Sequence, residues 1–188
     1  MNATNISFKN RKFLIYGFGK SGIACFKFLK KNNICTIFDD NKKNIPFNLK
    51  KKSINIHKLL SANFDFIVLS PGIDIKTCKI SQYLQKNRSK IITELDIFSI
   101  SYPNINKITI TGTNGKSTTS KLLYEVLKNS KKDARLTGNI GYPLLTEKKI
   151  TKNTIFVIEA SSYQLDYSKY FRSKYSIILN LNPDHLER

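Results

Sequence analysis

The 188-residue sequence has few of the features that mark secreted proteins, membrane-spanning proteins or proteins stabilised by a structural metal. Its three cysteines, Cys25, Cys35 and Cys78, are widely spaced and form no C-x-x-C pattern, so the sequence indicates neither a disulfide framework nor a zinc site. No apolar run approaches the roughly 20 residues that span a bilayer, and residues 1–12 lack an apolar signal core. We therefore expect a cytoplasmic protein with no membrane insertion.

Acidic residues are also scarce, since 13 of them face 32 basic residues and leave a formal net charge of +19. A charge of this size can indicate nucleic-acid binding. The lysines are nevertheless scattered beside Asn and Ile, with no zinc-finger spacing, aromatic RNA-binding signature or long basic helix. We expect no nucleic-acid partner, although a basic surface would attract anionic nucleotides.

Short apolar segments alternate with amphipathic segments along the chain, which indicates an α/β fold with parallel sheets. The predicted strands cover residues 13–16, 35–38, 66–69, 91–93, 107–111, 133–137, 155–160 and 176–179, and the predicted helices cover 21–31, 80–86, 94–100 and 117–127. Residues 101–104 interrupt the alternation. We therefore predict a Rossmann-like domain over 1–103, followed by an incomplete P-loop ATPase α/β domain over 104–188.

Residues 112–118, here called the glycine loop, read G-T-N-G-K-S-T between a predicted strand and a predicted helix. Such a loop brings backbone amides close to an anion, and the helix N-terminus adds a partial positive charge. Lys116 would carry a full charge to the terminal phosphates, and the Ser117 hydroxyl would bind Mg²⁺. The spacing is shorter than the general P-loop pattern, which would place a glycine where the chain has Ile110. A surface turn without a ligand is the alternative, and the flanking strand and helix disfavour it.

Residues 17–22, here called the first glycine turn, fit G-x-G-x-x-G after a strand and before a helix. Asp39 ends the next predicted strand, at about the distance expected for a ribose-binding acid. The pattern alone suggests NAD, but the same geometry can hold other nucleotide diphosphates, and a tight turn without a ligand is also possible. Ser70 and Gly72 follow the third strand and would line the same crevice.

Two further side chains lie at predicted strand ends in the second half of the chain. Glu159 ends an apolar strand, where a carboxylate is costly to bury unless it meets a cation. Mg²⁺ held jointly with Ser117 would remove that cost. His185 follows the next strand; a lone histidine is more often a surface residue, but its position beside the glycine loop favours a role in the site.

Four segments, in this order, resemble the ATP-dependent Mur ligases of bacterial cell-wall synthesis: residues 112–118, 138–141, 159–165 and 180–188. The first glycine turn and the Ser-Pro-Gly-Ile segment at 70–73 make the members that add D-glutamate to UDP-N-acetylmuramoyl-L-alanine the nearest ones. The resemblance covers about residues 12–188.

The resemblance implies an enzyme with a UDP-binding domain, a central ATPase domain and an amino-acid-binding domain. ATP would phosphorylate the substrate carboxylate, and the amine of D-glutamate would attack the resulting acyl phosphate. The implied cofactors are ATP and Mg²⁺, the implied substrates are UDP-N-acetylmuramoyl-L-alanine and D-glutamate, and we expect a monomer. The residues expected to bind ATP are Gly112, Thr113, Asn114, Gly115, Lys116, Ser117 and Thr118. The resemblance assigns catalysis to Lys116, Glu159 and His185, Mg²⁺ binding to Ser117, Glu159 and His185, and UDP-sugar binding to Gly19, Lys20, Ser21, Asp39, Ser70, Gly72, Asn139 and His185.

The sequence departs from the family at Asn41, where some relatives have an arginine that contacts the diphosphate. A modified lysine of the second metal site and the amino-acid-binding domain would lie beyond Arg188, so we expect nucleotide binding without complete ligation. Three alternatives stay open: a ligase that adds L-alanine, a nucleotide-binding module, and an NAD-dependent oxidoreductase.

Overall fold

A computed structural model describes residues 6–183. The strands are β1 Lys12–Tyr16, β2 Ile34–Phe38, β3 Phe66–Leu69, β4 Ile91–Ile92, β5 Asn106–Thr111, β6 Ala134–Gly138, β7 Ile155–Glu159 and β8 Tyr175–Ile178. The helices are α1 Lys20–Leu29, α2 Ile56–Ser61, α3 Ser81–Lys86, α4 Glu94–Ser101, α5 Lys116–Asn129 and α6 Ser162–Tyr167. These elements form two parallel sheets, which confirms the predicted α/β class. The chain divides into two compact units between Ile97 and Phe98, within α4, while the domain boundary at 103/104 stays a prediction.

The first unit contains a four-stranded sheet with the order β2-β1-β3-β4, in which all paired strands are parallel. Strand β1 is central, and its residues 13–16 are fully buried because both of its edges are paired. Tyr16 lies in register with Phe38 of β2 and Leu69 of β3. The segments that follow these three strands therefore begin at the same edge of the sheet.

The second unit contains a four-stranded parallel sheet with the order β6-β7-β5-β8. The central strand β7 buries Phe156, Val157 and Ile158 completely. Its last residue, Glu159, lies in register with Ile110 of β5 and Gly138 of β6. Strand β8 is an edge strand, and all four of its residues are exposed.

Each sheet has a topological switch point next to its first strand. Strands β2 and β3 lie on opposite sides of β1, and β7 and β8 lie on opposite sides of β5. In open α/β sheets, ligands bind in the crevice outside the carboxyl ends of the strands at such a point. The first glycine turn follows β1 and the glycine loop follows β5, so both motifs lie at this kind of position.

Two short helices were missing from the sequence-based prediction. Helix α6 begins with a capping box, in which the Ser161 hydroxyl accepts the Gln164 N–H and the Gln164 side-chain oxygen accepts the Ser161 N–H. The S-x-x-Q spacing at 161–164 is the sequence signal for this helix. Helix α2 follows Asn55, whose side chain accepts the Lys58 N–H.

A buried lysine at the start of β5 bonds the backbone of the segment that interrupts the α/β alternation. Lys107 on β5 is 2% exposed, and its ammonium group donates to the carbonyl oxygens of Tyr102, Pro103 and Ile105. Burial lowers the pKa of Lys107. Residues 102–105 are thereby folded back onto the start of β5.

Within residues 6–183, no helix is long and apolar enough to cross a membrane.

The thiol of Cys35 should make the folded chain less stable at alkaline pH. Cys35 is buried on β2, and burial raises the pKa of its thiol to about 11. Between pH 9 and 11 the unfolded chain releases this proton while the folded chain keeps it, so this group's contribution to stability is lost as the pH rises. We expect Cys35→Ala to reduce the fall in unfolding free energy by up to about 1.4 kcal/mol per pH unit in this range, measured by urea denaturation.

Ile37→Val on the same strand is the control, because it removes a buried methylene without removing a titrating group. Both variants should lower stability at pH 7, but only Cys35→Ala should change the slope. Equal slopes for Cys35→Ala and the unmodified chain would contradict the prediction.

Candidate nucleotide-binding site

The glycine loop connects β5 to the N-terminus of α5. Helix α5 begins at Lys116, and its N-cap residue is Gly115, which has φ +65° and no side chain to bond the first amides. The first N–H groups of a helix have no partner inside the helix, and they carry the positive end of its dipole. The loop therefore directs the uncapped start of a 14-residue helix to the carboxyl edge of the sheet.

The Lys116 ammonium group lies against the same loop. Its Nζ atom is 3.1 Å from the carbonyl oxygen of Gly112 and 3.2 Å from that of Thr113. The side chain is half-buried, and the Ser117 side chain that follows it is exposed. A positive charge and a hydroxyl group thus stand together at the helix start, as the sequence predicts for residues that would bind phosphate.

Asn180 lies two residues after the end of β8, and its side chain bonds the middle of the glycine loop. Its side-chain oxygen accepts the N–H of Thr113 at 3.1 Å and of Asn114 at 2.9 Å, and its side-chain nitrogen donates to the Asn114 carbonyl oxygen at 3.0 Å. The sequence assigns no role to Asn180, since no local pattern links residues 66 positions apart. The Thr113 and Asn114 amides are therefore bonded within the chain, and the uncapped amides of α5 form the open part of the loop.

Glu159 is the acid of the site. It is 3% exposed, and its Oε2 atom has no hydrogen-bond partner in the part of the chain that the structure describes. The register of β7 places it beside Ile110, two residues before the glycine loop begins. A buried carboxylate oxygen without a donor is costly unless it binds a cation, so this residue fits a role as a metal ligand.

Mg²⁺ suits the donor groups at this edge of the sheet. The ion prefers oxygen ligands and is often bound by one or two carboxylates together with substrate phosphates. Glu159 offers a carboxylate, and Ser117 offers a hydroxyl at the start of α5. Residues 6–183 contain no group of three or more His, Cys, Asp or Glu side chains that could hold a metal. Glu159 and Ser117 therefore suit a metal ion whose other ligands include the phosphates of a bound nucleotide. His185, the third predicted ligand, lies outside the described residues.

The turn at 138–141 packs directly against the end of β7. The Asn139 N–H donates to the Glu159 carbonyl oxygen at 3.0 Å, and the Asn139 side chain is exposed at the carboxyl edge of the sheet. A Cβ atom added to Gly138 would lie 2.1 Å from that same carbonyl oxygen, and the φ of Gly138 is +103°. Only glycine allows this close approach, which holds the turn next to the acid.

We expect Gly138→Ala to lower the unfolding free energy by about 3 kcal/mol or more, because backbone strain adds to a clash with a strand carbonyl group. Gly115→Ala is the matched control: Gly115 also has a positive φ, +65°, but an added Cβ atom there meets nothing within 4 Å. This control should cost about 1 to 2 kcal/mol. Urea denaturation of both variants measures the difference, and similar losses would show that the contact with Glu159 is unimportant.

The first glycine turn is held by side chains from the two neighbouring strands. The Phe18 N–H donates to the Asp39 carboxylate at 2.6 Å, and the Ser70 hydroxyl donates to the Gly17 carbonyl oxygen at 2.8 Å. Asp39 also accepts the Asn41 N–H at 2.8 Å and the Asn44 side-chain amide at 3.0 Å. Both predicted substrate contacts, Asp39 and Ser70, thus bond the turn itself.

The other predicted UDP-sugar contacts of the first unit lie at the start of α1 and after β3. Gly19 is the N-cap of α1, which has no side-chain cap, and Lys20 begins the helix with an exposed side chain. The Ser21 hydroxyl donates to the buried carboxylate of Glu94 at 2.5 Å. Gly72 is exposed in the turn after β3. The uncapped amides of α1 remain as the anion-facing groups of this turn.

A cavity of about 960 Å³ lies beyond the end of β2. It is lined by both aspartates that follow β2, by His57 and Phe47, and by four lysines: Lys42, Lys43, Lys50 and Lys79. The buried Tyr16 hydroxyl donates to Asp40 Oδ2 at 2.7 Å, while Asp40 Oδ1 is buried without a partner among the described residues. Burial raises the pKa of Tyr16, so its hydroxyl stays a donor. Sequence reasoning missed this cavity, although consecutive aspartates at a strand end were a visible signal.

Taken together, the fold and these contacts define an α/β chain with a glycine-containing turn at the switch point of each parallel sheet. Residues 11–92 match the family model of the MurD-like N-terminal domain of Mur ligases, and residues 110–188 match that of the Mur ligase middle domain. The chain belongs to the Mur ligase family.

Similar curated proteins carry the name UDP-N-acetylmuramoylalanine–D-glutamate ligase. The one from Rickettsia prowazekii is 37% identical over 186 residues, which cover 97% of this chain and 41% of the relative. The one from Caldicellulosiruptor bescii is 35% identical over 193 residues, which cover 96% of this chain and 42% of the relative. The chain thus spans about two fifths of the length of these relatives.

Solved structures of two other ligases share the fold. The UDP-N-acetylmuramate:L-alanyl-γ-D-glutamyl-meso-diaminopimelate ligase of Neisseria meningitides matches with a TM-score of 0.53 and 15% identity, over 94% of this chain and 62% of that one. A murein peptide ligase of Psychrobacter arcticus matches with a TM-score of 0.51 and 16% identity, over 95% of this chain and 44% of that one. At this level of identity the matches support the fold alone.

Proposed function

We propose that this chain binds UDP-N-acetylmuramoyl-L-alanine and Mg-ATP in a ligase reaction that adds D-glutamate through an acyl phosphate. The observation that carries the proposal is the buried Oε2 atom of Glu159, which has no hydrogen-bond partner among residues 6–183 and belongs to the strand next to the one that leads into the glycine loop, with Lys116 and an uncapped helix N-terminus. The relatives at 35–37% identity are named as ligases of D-glutamate to this UDP substrate. An L-alanine-adding ligase remains the alternative within the family.

In the second unit, the chain's own groups would position a nucleotide. The α5 amides and Lys116 would hold the terminal phosphates, and Ser117 and Glu159 would hold Mg²⁺ with the phosphate oxygens. Mg-ATP would supply the phosphoryl group that activates the substrate carboxylate. Lys116 would keep positive charge on that group during transfer, when negative charge spreads over its oxygens. A contribution of His185 to the metal site belongs to the same proposal.

In the first unit, the α1 amides would hold the diphosphate, with Lys20 as a nearby positive charge. The cavity beyond β2 is directly adjacent, because Asp39 both bonds the first glycine turn and lines the cavity. At about 960 Å³ it is large enough for a nucleoside. Ser70 and Gly72 complete the proposed UDP-sugar contacts of this unit, while the role of Asn139 in the second unit stays a prediction from the sequence. Cytoplasmic location, a monomeric state and the lack of a nucleic-acid partner stay predictions from the sequence.

Calorimetric titration of the 188-residue chain with Mg-ATP tests the second site. We expect Lys116→Met to weaken binding at least tenfold, because it removes the charge that faces the phosphates. Lys128→Met, at the other end of the same helix, is the control and should leave the affinity unchanged. Glu159→Gln should abolish the gain in affinity that Mg²⁺ provides, without lowering the urea midpoint of the free chain, since the Oε2 atom that it replaces has no partner to lose among the described residues.

If Lys116→Met binds Mg-ATP as tightly as the unmodified chain, the proposed phosphate site is wrong. If Glu159→Gln retains the full effect of Mg²⁺, the proposed metal ligand is wrong.

The oxidoreductase alternative is tested at the first unit. Asp39, at the end of β2, is the position that would bind the ribose hydroxyls of NAD. We expect saturable binding of UDP-N-acetylmuramoyl-L-alanine and none of NADH, measured by titration of the same chain. Saturable NADH binding without binding of the UDP substrate would overturn the assignment.

A further inference from the structure

We propose that Asn180 is a positioning residue of the glycine loop, which fixes the loop in the shape that receives phosphate. The inference rests on the proposed function, because it deepens the account of the ATP site. No role for Asn180 follows from the sequence motif alone.

The Asn180 side chain makes three hydrogen bonds with the loop and both accepts and donates in them. The Asn180 side chain uses both of its polar ends on the loop, with the oxygen on two successive amides and the nitrogen on the Asn114 carbonyl group. An asparagine side chain is one of the few that can accept and donate in one plane. Aspartate could accept but not donate, and alanine could do neither.

These contacts join the segments that follow two neighbouring strands, β5 and β8. Asn180 follows β8 and the loop follows β5. The contacts therefore lie at the switch point, where successive strands are placed on opposite sides of β5. Backbone groups support the same crossing, since the Thr113 hydroxyl donates to the Asn182 carbonyl oxygen and accepts the Asn182 N–H. A Cβ atom added to Gly112 would lie 3.2 Å from the Asn180 carbonyl oxygen, which shows how closely the two segments pack.

The contacts with Asn180 occupy two of the loop's backbone amides. With the Thr113 and Asn114 amides bonded to Asn180, the loop turns these groups toward β8 and presents the first turn of α5 on its open side. A loop fixed in this shape before binding loses less conformational freedom when phosphate arrives. Asn180 should therefore strengthen nucleotide binding without touching the nucleotide.

Amide hydrogen exchange of the free chain, followed by NMR, tests the contacts directly. In Asn180→Ala we expect exchange at Asn114 to become at least tenfold faster, because its amide loses its acceptor. Exchange at Thr113 should change less, because the Asn180 backbone carbonyl oxygen also accepts this amide, at 3.2 Å. The amide of Ala160, bonded to Ile110 between β7 and β5, reports on the stability of the sheet and should not change.

Asn182→Ala is the matched control, since Asn182 contacts the loop through its backbone and its exposed side chain can be removed without loss of those contacts. Asn180→Asp is the conservative variant: it should restore slow exchange at Asn114 because the carboxylate still accepts the amide. Mg-ATP should bind about tenfold more weakly to Asn180→Ala and at least as weakly to Asn180→Asp, which adds a negative charge near the phosphates. Asn182→Ala should bind normally.

Unchanged exchange at Asn114 in Asn180→Ala would overturn the proposal, and so would unchanged or tighter Mg-ATP binding. Faster exchange at Ala160 as well would show a general loss of stability and would also count against a positioning role. If the unmodified chain binds no Mg-ATP, the proposed function fails, while exchange at Asn114 still decides whether Asn180 holds the loop.

Discussion

Burial of Glu159 at the end of β7 leaves one carboxylate oxygen without a donor in the described part of the chain, at the edge of the sheet from which the glycine loop begins. The strand before it is wholly apolar, so nothing in β7 can supply a partner. Its neighbours in register are Ile110 and Gly138, one with an apolar side chain and one with none. A buried polar atom of this kind calls for an explanation, and we propose a bound cation because the glycine loop begins two residues beyond Ile110.

The glycine-containing turns of the two sheets are held in shape by different side chains. A turn that receives an anion must keep some amides open and still hold its shape, because unbonded backbone is mobile and costly to order. In the first unit, Asp39 and Ser70 bond the turn from the strands on either side of β1. In the second unit, Asn180 bonds the loop from the β8 side. In both cases the helix that follows begins with a glycine N-cap, so its first amides stay open.

Several residues at or near motif positions bond the backbone around them. Asp39 fits a ribose-binding position, but its carboxylate accepts three hydrogen bonds from its own chain. Asn41 caps a short helical turn by accepting the Lys43 N–H. Gln164 belongs to a motif segment, and in the structure it completes the capping box of α6. Motif positions therefore include groups that shape the backbone as well as groups that face a ligand.

The sequence by itself determined the α/β alternation, the strands within one or two residues, and the glycine loop, because these features depend on side chains only a few positions apart. Tertiary structure alone decided that β7 lies between β5 and β6, that Asn180 bonds Asn114, and that a cavity opens beyond β2. Strand order and contacts between distant residues depend on how the whole sheet packs, and no local pattern records which strand ends will meet.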